Sequence, residues 1–362
     1  MINECYEKAK EVIRACSTKH GLYASAGKRG YNAVWARDSM ISLIGASSSG
    51  EFKDVFKQSL IVLADNQSKK GQIPNAVDKW SERKPHVDYA SIDSSLWYII
   101  GHYVYSMRYK DNSLFRKYRG SIENALFWLS CWDMGENGLL EQLPTTDWQD
   151  AFPHKYGQTI NTQALYYKVL NLAGEKDARK LKFMVNKHEE TKLWNDNFYL
   201  PYRWKNHGKY LEIGSWFDSL GNFLSIIFDL AEKEQTEKII SYVYKNKINQ
   251  PYPVKVIYPP IKRGSKEWQD YFDDCDAREP YHYLNGGIWT YIGGFYVLSL
   301  IKLKKFKKAE QELKKLAEAN LNGEFPEWIN PLTKEPHGRL QAWNAGLYIL
   351  AYNSLKEKKV LI

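Results

Sequence analysis

The connections between helical segments alternate between very short and very long, and this alternation restricts the chain more than any other feature. Apolar residues recur with helical period in about twelve segments. These lie near residues 2–16, 38–48, 51–67, 91–109, 113–132, 159–173, 175–192, 216–231, 233–246, 286–303, 305–320 and 339–355. The second segment meets the third through SSGE, the fourth meets the fifth through KDN, and the sixth meets the seventh at GE. The eighth and ninth join almost directly, as do the tenth and eleventh. The other connections run to about 17–38 residues, a length that compact domains keep for functional loops. Strand-like runs such as YPVKVIYPP (252–260) are short and fall inside those loops.

The two sets of segments also differ in character. Odd-numbered ones, such as EKAKEVIRAC and AEQELKKLAEA, keep a polar face. Even-numbered ones, such as SSLWYIIGHYVYSM and GGFYVLSLIKL, are apolar nearly all round and have to be buried. Antiparallel hairpins with one buried and one exposed member, repeated about six times, close into an all-α (α/α)6 toroid, a six-hairpin barrel with the even helices inside. A stacked superhelix would carry a self-similar repeat, and none is visible. No stretch has linker composition, so a single domain over residues 1–362 is expected. In such a toroid every long loop precedes an inner helix, and all of them converge on one mouth.

Composition narrows the partners. The net charge of +9 sits largely on amphipathic faces such as KLKKFKKAEQELKKLAEA (302–319), whose interleaved Glu residues argue against a nucleic-acid stripe. Cys5, Cys16, Cys131 and Cys275 form no C-x-x-C pair, which fits reduced thiols in a cytoplasmic protein. The opening MINECYEKAKEVIR reads as an amphipathic helix and not a signal peptide, and no apolar run is long enough to span a membrane. The eight His show no H-x-x-x-H or H-E-x-x-H spacing, so no metal is expected. A serine nucleophile elbow, a P-loop and G-x-G-x-x-G are all absent, so no cofactor is expected.

Converging loops should add up to one site. The first contributes Trp35, Arg37 and Asp38 from AVWARDSMISLI, and the second IPN (73–75) and SIDSSLW with Asp93 and Trp97. The third is LLEQLPTTDWQDAFPHKYG (139–157), with Trp148, and it leads to Gln163 at the next helix start. The fourth, GSWFDSLGN (214–222), brings Asp218; the fifth, YHYLNGGIW (281–289), brings Asn285 and Trp289. The last is FPEWINPLTKEPHGRLQAW (325–343), ending on Trp343. Acids lie near tryptophan in most of these loops: Asp38, Asp93, Asp147, Asp150, Asp218 and Glu327. Each alone also serves as a helix cap or dipole partner. Together they supply what glycoside hydrolysis needs: a protonated acid for the leaving oxygen, a carboxylate opposite to activate water, and aromatic platforms for sugar rings. Burial beside an aromatic such as Trp148 would keep the acid protonated. Arg37 and Asp38 are expected to bond hydroxyls of the innermost sugar, the alternative being an internal pair that holds the first loop.

The same loops resemble a known group. WARDSMISLIG is similar to the W-G-R-D-T-M-I-S-L-P-G stretch in the glucosidase domain of glycogen debranching enzymes, the amylo-α-1,6-glucosidases. The spacing onward to GQIPN and SIDSSLWYI also matches, and DWQDAFPHKYGQTINTQALYY resembles that family's W-M-D-A…R-x-G-K-x-V-E-I-N-A-L-W-Y. Alkaline/neutral invertases share similar blocks at the same positions, including Y-H-N-G-G-S-W near YHYLNGGIW, and trehalases are more distant. The resemblance covers roughly residues 20–355. It implies Asp150 as general acid, Asp147 being the competitor, and Glu327 as general base, with Trp35, Arg37, Asp38, Asp93 and Trp148 on the substrate side. Departures occur at Asn161 (Glu in both families), Leu284 (His), Thr290 (Pro) and His154–Lys155 (Pro-Arg in debranching enzymes). The extra N-terminal domain of many debranching enzymes has no counterpart, so a bare toroid acting on small substrates is expected.

The resemblance thus implies an inverting α-glucosidase taking a terminal glucose, with α-1,6 linkages first and sucrose hydrolysis as the alternative. A catalytically inactive carbohydrate-binding toroid is the reading from another class, and the presence of both Asp150 and Glu327 speaks against it. A zinc-dependent toroid such as a prenyltransferase lacks its ligand set here.

Overall fold

The computed structural model describes every residue except 28–30, 81–85 and 207–209. Thirteen α-helices appear among the described residues: α1 (Ile2–Cys16), α2 (Ala36–Ala46), α3 (Lys53–Asp65), α4 (Asp93–Tyr109), α5 (Ser113–Lys117), α6 (Arg119–Ser130), α7 (Ile160–Ala173), α8 (Asp177–Asn186), α9 (Ser219–Ile227), α10 (Lys233–Lys245), α11 (Thr290–Lys302), α12 (Phe306–Asn322) and α13 (Ala342–Lys356). The segment read as one helix over 113–132 is two, broken at Tyr118, whose φ of −105° and ψ of 20° leave the helical region.

Helices α2, α4, α7, α9, α11 and α13 each pack on the next, and α13 packs back on α2, which closes a ring of six. The fold is therefore the (α/α)6 toroid. The reason is visible in the burial of single helices. All eleven residues of α2 and all nine of α9 are buried. In α1, by contrast, Cys5, Ala9, Val12, Ile13 and Cys16 form one buried stripe at helical spacing. Ring closure depends on close backbone contact. A Cβ at Gly346 of α13 would lie 2.2 Å from the Ser42 carbonyl oxygen of α2, and one at Gly45 2.2 Å from the Gly346 carbonyl oxygen. One buried apolar cluster extends from Cys5 of α1 to Ala351 of α13. No helix among the described residues is long and apolar enough to cross a membrane.

The mouth loops carry more regular structure than the sequence pattern shows. Val34–Trp35 pairs with Ala76–Asp78, which pairs with His86–Asp88. Gln158–Thr159 pairs with Tyr202–Asn206, and that strand pairs with Tyr210–Ile213. Phe217–Asp218 pairs with Ile257–Tyr258 from the strand-like run, and Trp328–Ile329 with Pro336–His337. These ladders satisfy backbone groups that would otherwise be orphaned over the barrel mouth. They also shorten three inner helices relative to their periodicity. Strand or bridge pairing takes Phe217–Asp218 before α9, Ile288 before α11 and Gln341 before α13.

Candidate active site

A cavity at the mouth, about 80 Å³ in volume, is lined by Tyr31, Trp35, Arg37, Asp38, Trp148, Asp150, Tyr283, Trp289, Glu327, Gln341 and Trp343, with Ala24 at its edge. Its wall is an interlocked aromatic set. Trp148 meets Trp289 edge-on at 5.4 Å and Tyr291 at 5.5 Å, and Tyr291 stacks on Trp343 at 4.4 Å between centroids. The edge-on contacts fix Trp148 while sparing its faces, whereas Trp343 gives one face to Tyr291. The indole N–H groups of Trp35, Trp148 and Trp343 are buried with no acceptor among the described residues. A larger cavity of about 500 Å³ lies between α1 and the end of α12, but it contains none of these aromatic or acid pairs.

Arg37 and Asp38 occupy the second and third positions of α2, and they play different parts. The Arg37 guanidinium is clamped by Asp93, with Nε to Oδ2 at 2.8 Å and Nη2 to Oδ1 at 3.1 Å, and it also donates to Ser91 Oγ at 3.1 Å. Burial works against its charge, but Asp93 and then Asp38 hold it ionised, so it edges the cavity as a fixed cation. Asp38 is 8% exposed, and burial pushes its carboxyl up to about 7 despite Arg37 beside it. The charged pair at the start of α2 is thus half internal clamp and half cavity lining.

Asp150 and Glu327 both line the cavity. Burial raises the Asp150 carboxyl above the usual range, with Arg37 partly opposing the shift and Asp147 adding to it. Asp150 itself remains open to solvent at the cavity, which screens these effects. Glu327 is half-buried, and burial likewise raises it, opposed by hydrogen bonds from Tyr31 and Tyr283. Both phenols donate to Glu327 Oε1, at 3.2 and 3.5 Å. The backbone behind it is fixed by the Trp328–His337 hairpin, where Glu327 N–H donates to the His337 carbonyl at 2.8 Å. Gly338 packs there with φ of +67°, and a Cβ would come within 2.8 Å of the Glu327 Cβ, so only glycine fits.

Six candidates from the sequence do not line the cavity. Asp93 holds Arg37. Trp97 is core, 1% exposed and stacked on Phe295. Gln163 accepts from Leu140 N–H at 3.1 Å and donates to Leu140 C=O at 2.7 Å. Asn285 makes the same two-way clamp on Ile261, at 2.7 and 2.9 Å. Asp218 caps α9 through Gly221 N–H and pairs with Lys155 at 3.2 Å. Asp147 pairs with the same buried Lys155 at 3.0 Å and accepts from Gln149 N–H, so of the two loop acids Asp150 is the one on the cavity wall. Sequence reading missed Tyr31, Tyr283, Gln341 and the Lys155 cation. Tyr283 and Gln341 lie inside the quoted loop stretches; Tyr31 carries no local signal at all.

Residues 7–349 match the family model for amylo-alpha-1,6-glucosidase. A GH63 mannosylglycerate hydrolase from Thermus thermophilus, solved with Tris and D-glycerate, has the same fold with a TM-score of 0.72 at 14% identity, over 95% of this chain and 99% of that one. A bacterial glucoamylase solved with acarbose gives a TM-score of 0.68 at 16% identity, over 99% of this chain and 56% of that one. Among curated proteins, alkaline/neutral invertase E, chloroplastic, of Arabidopsis thaliana is 25% identical over 142 residues, which are 37% of this chain and 22% of that protein.

Proposed function

Since the chain belongs to the amylo-alpha-1,6-glucosidase family, and so is a glycoside hydrolase, we propose that it removes terminal glucose from α-glucosides with inversion, α-1,6 linkages first. The observation that carries this reading is a pair of carboxylates with raised pKa, Asp150 and Glu327, on the wall of one tryptophan-lined cavity. Asp150 protonates the departing glycosidic oxygen, and the upward shift that burial gives its carboxyl favours the protonated form a general acid needs. Glu327 deprotonates the attacking water. Tyr31 and Tyr283 occupy its Oε1, which leaves Oε2 for that water. Arg37, fixed by Asp93, and Asp38 meet sugar hydroxyls, while Trp35, Trp148 and Trp343 supply the aromatic lining around the ring. A small cavity of this kind takes one ring, and the substrate is a carbohydrate with a terminal glucose.

Proton NMR of fresh digests of isomaltose, panose, maltose and sucrose tests the reading. β-Glucose appearing first from isomaltose or panose supports it, and α-glucose appearing first overturns inversion. Hydrolysis of none of these sugars overturns the glucosidase assignment. α-Galactosides and α-mannosides should be rejected by up to about 10⁴ in kcat/KM, because a misplaced hydroxyl leaves buried partners unpaired. The likeness to invertases favours sucrose as the second reading. A clear preference for sucrose would establish it in place of the first.

A further inference from the structure

The larger cavity between α1 and the end of α12 has a volume of about 500 Å³. That volume falls within the roughly 300–1,000 Å³ usual for small-molecule sites. Its charged members, Glu4, Lys8, Glu11 and Glu324, stand exposed at the rim. There Lys8 pairs with Glu11 at 2.8 Å and Glu324 with Arg339 at 3.8 Å. The walls are Val12, Ala15, Leu321, Phe325 and Leu340. Apolar walls inside a rim of paired charges favour an uncharged molecule with an apolar body. A charged one would give up its water without gaining a free partner.

Two of those wall residues belong to the loop that carries Glu327. Phe325 precedes Glu327 by two positions, and Leu340 directly precedes Gln341, which lines the catalytic cavity. Backbone hydrogen bonds lace the two arms of this loop together. Leu340 N–H donates to the Glu324 carbonyl at 2.7 Å, Gln341 N–H to the Phe325 carbonyl at 3.0 Å, and Glu327 N–H to the His337 carbonyl at 2.8 Å. The Cys16 thiol of α1 donates to the Leu340 carbonyl at 3.5 Å. The two cavities therefore share one piece of backbone. Glu324, Phe325 and Leu340 also hold positive φ, at 51°, 57° and 52°, without being glycine. Such residues stay in the left-handed region only where their surroundings impose it. All three line the larger cavity, so its packing is part of what imposes it. A molecule seated against Phe325 and Leu340 adds to that packing, and so favours the arrangement that presents Glu327 to the catalytic cavity. We propose that the larger cavity is an effector site for an uncharged apolar molecule, whose binding holds the Glu327 hairpin in place and raises activity. The effector role rests on Glu327 being the general base.

The neutral fluorescent amine N-phenylnaphthylamine is the probe, and the full chain is the protein tested. Its emission should rise saturably on binding to the parent. Affinity should fall about tenfold in Leu321→Asn, which sets an amide in the apolar wall, and be lost in Ala15→Trp, which fills the cavity from its rim. No saturable binding to the parent, or unchanged binding in either variant, overturns the site. Amide hydrogen exchange across residues 324–341 is the second readout. It should slow when the probe is added to the parent and not respond to the probe in Ala15→Trp. Exchange that ignores the probe in the parent overturns the coupling. With saturating probe, kcat/KM on isomaltose should rise about fivefold in the parent and stay level in Ala15→Trp. Slower exchange with an unchanged or lowered kcat/KM overturns the effector role. If no sugar is hydrolysed, the glucosidase reading fails by itself, and the exchange measurement still decides whether the cavity holds the hairpin.

Discussion

Two phenols on one oxygen of Glu327 set the behaviour of this carboxylate. Hydrogen bonds from Tyr31 and Tyr283 favour the ionised form, whereas burial favours the neutral one, and burial wins. Tyr31→Phe removes the shorter of the two bonds, so the Glu327 pKa should rise further. In the proposed mechanism the base works only when deprotonated, so the acidic limb of the kcat/KM profile should move to higher pH while the basic limb, assigned to Asp150, stays in place. An acidic limb that stays put or moves down would show that Tyr31 does not hold the base. Asp150→Asn should lower kcat by about 10²–10⁴ on natural linkages, the usual cost of losing a general acid. Asp147→Asn should retain measurable turnover but lower stability, since Asp147 serves Lys155 and not the cavity. Similar kinetic losses in the two variants would defeat the division of labour. Tyr31 shows why this level was hard to read in advance: it is one of 26 tyrosines, and only the fold brings it to a glutamate 296 positions away.

At the scale of elements, several side chains that look like ligands for a substrate are ties between loop and helix. Gln163 on α7, Asn222 on α9 and Asn285 before α11 each close both hydrogen bonds of one backbone residue, at Leu140, Tyr199 and Ile261 respectively. They sit where a substrate residue would sit in the sequence, at a loop end, and only the two hydrogen bonds each makes with the backbone tell the roles apart. The hairpin pairing and the buried set of inner helices were legible because periodicity and connection length are local properties, whereas the break at Tyr118 that splits the 113–132 segment into two helices was not. The small sheets at the mouth were not, since strands such as Val34–Trp35 and Phe217–Asp218 are two residues long and owe their pairing to distant partners. Lys155 is the strongest of the ties. It is buried between Asp147 and Asp218, and so joins the loop bearing Trp148 and Asp150 to the cap of α9. Lys155→Met leaves two buried carboxylates without their cation, and unfolding in urea should register a loss of about 3–5 kcal/mol. Lys155→Met combined with Asp147→Asn and Asp218→Asn should recover part of it. A loss below about 1 kcal/mol, the range of exposed pairs, would mean that the triad does not fasten the loop.

For the whole molecule, the decisive contact joins the two ends of the ring. Gly346→Ala would place a methyl carbon 2.2 Å from a carbonyl oxygen of α2, and a neighbouring backbone cannot yield as a side chain does. The expected cost is about 1–3 kcal/mol or more, read as a lower midpoint in urea, and an unchanged midpoint would show that α2 and α13 are free to separate. The same contact imposes an order in time. Helix α2 buries all eleven of its residues, but one of its two ring neighbours, α13, is made only after all the intervening hairpins. Throughout the synthesis of the intervening hairpins, the face awaiting α13 has no partner. A growing chain of this design holds an open arc with two apolar ends, and it is most vulnerable to sticking to other chains just before α13 emerges to close the ring.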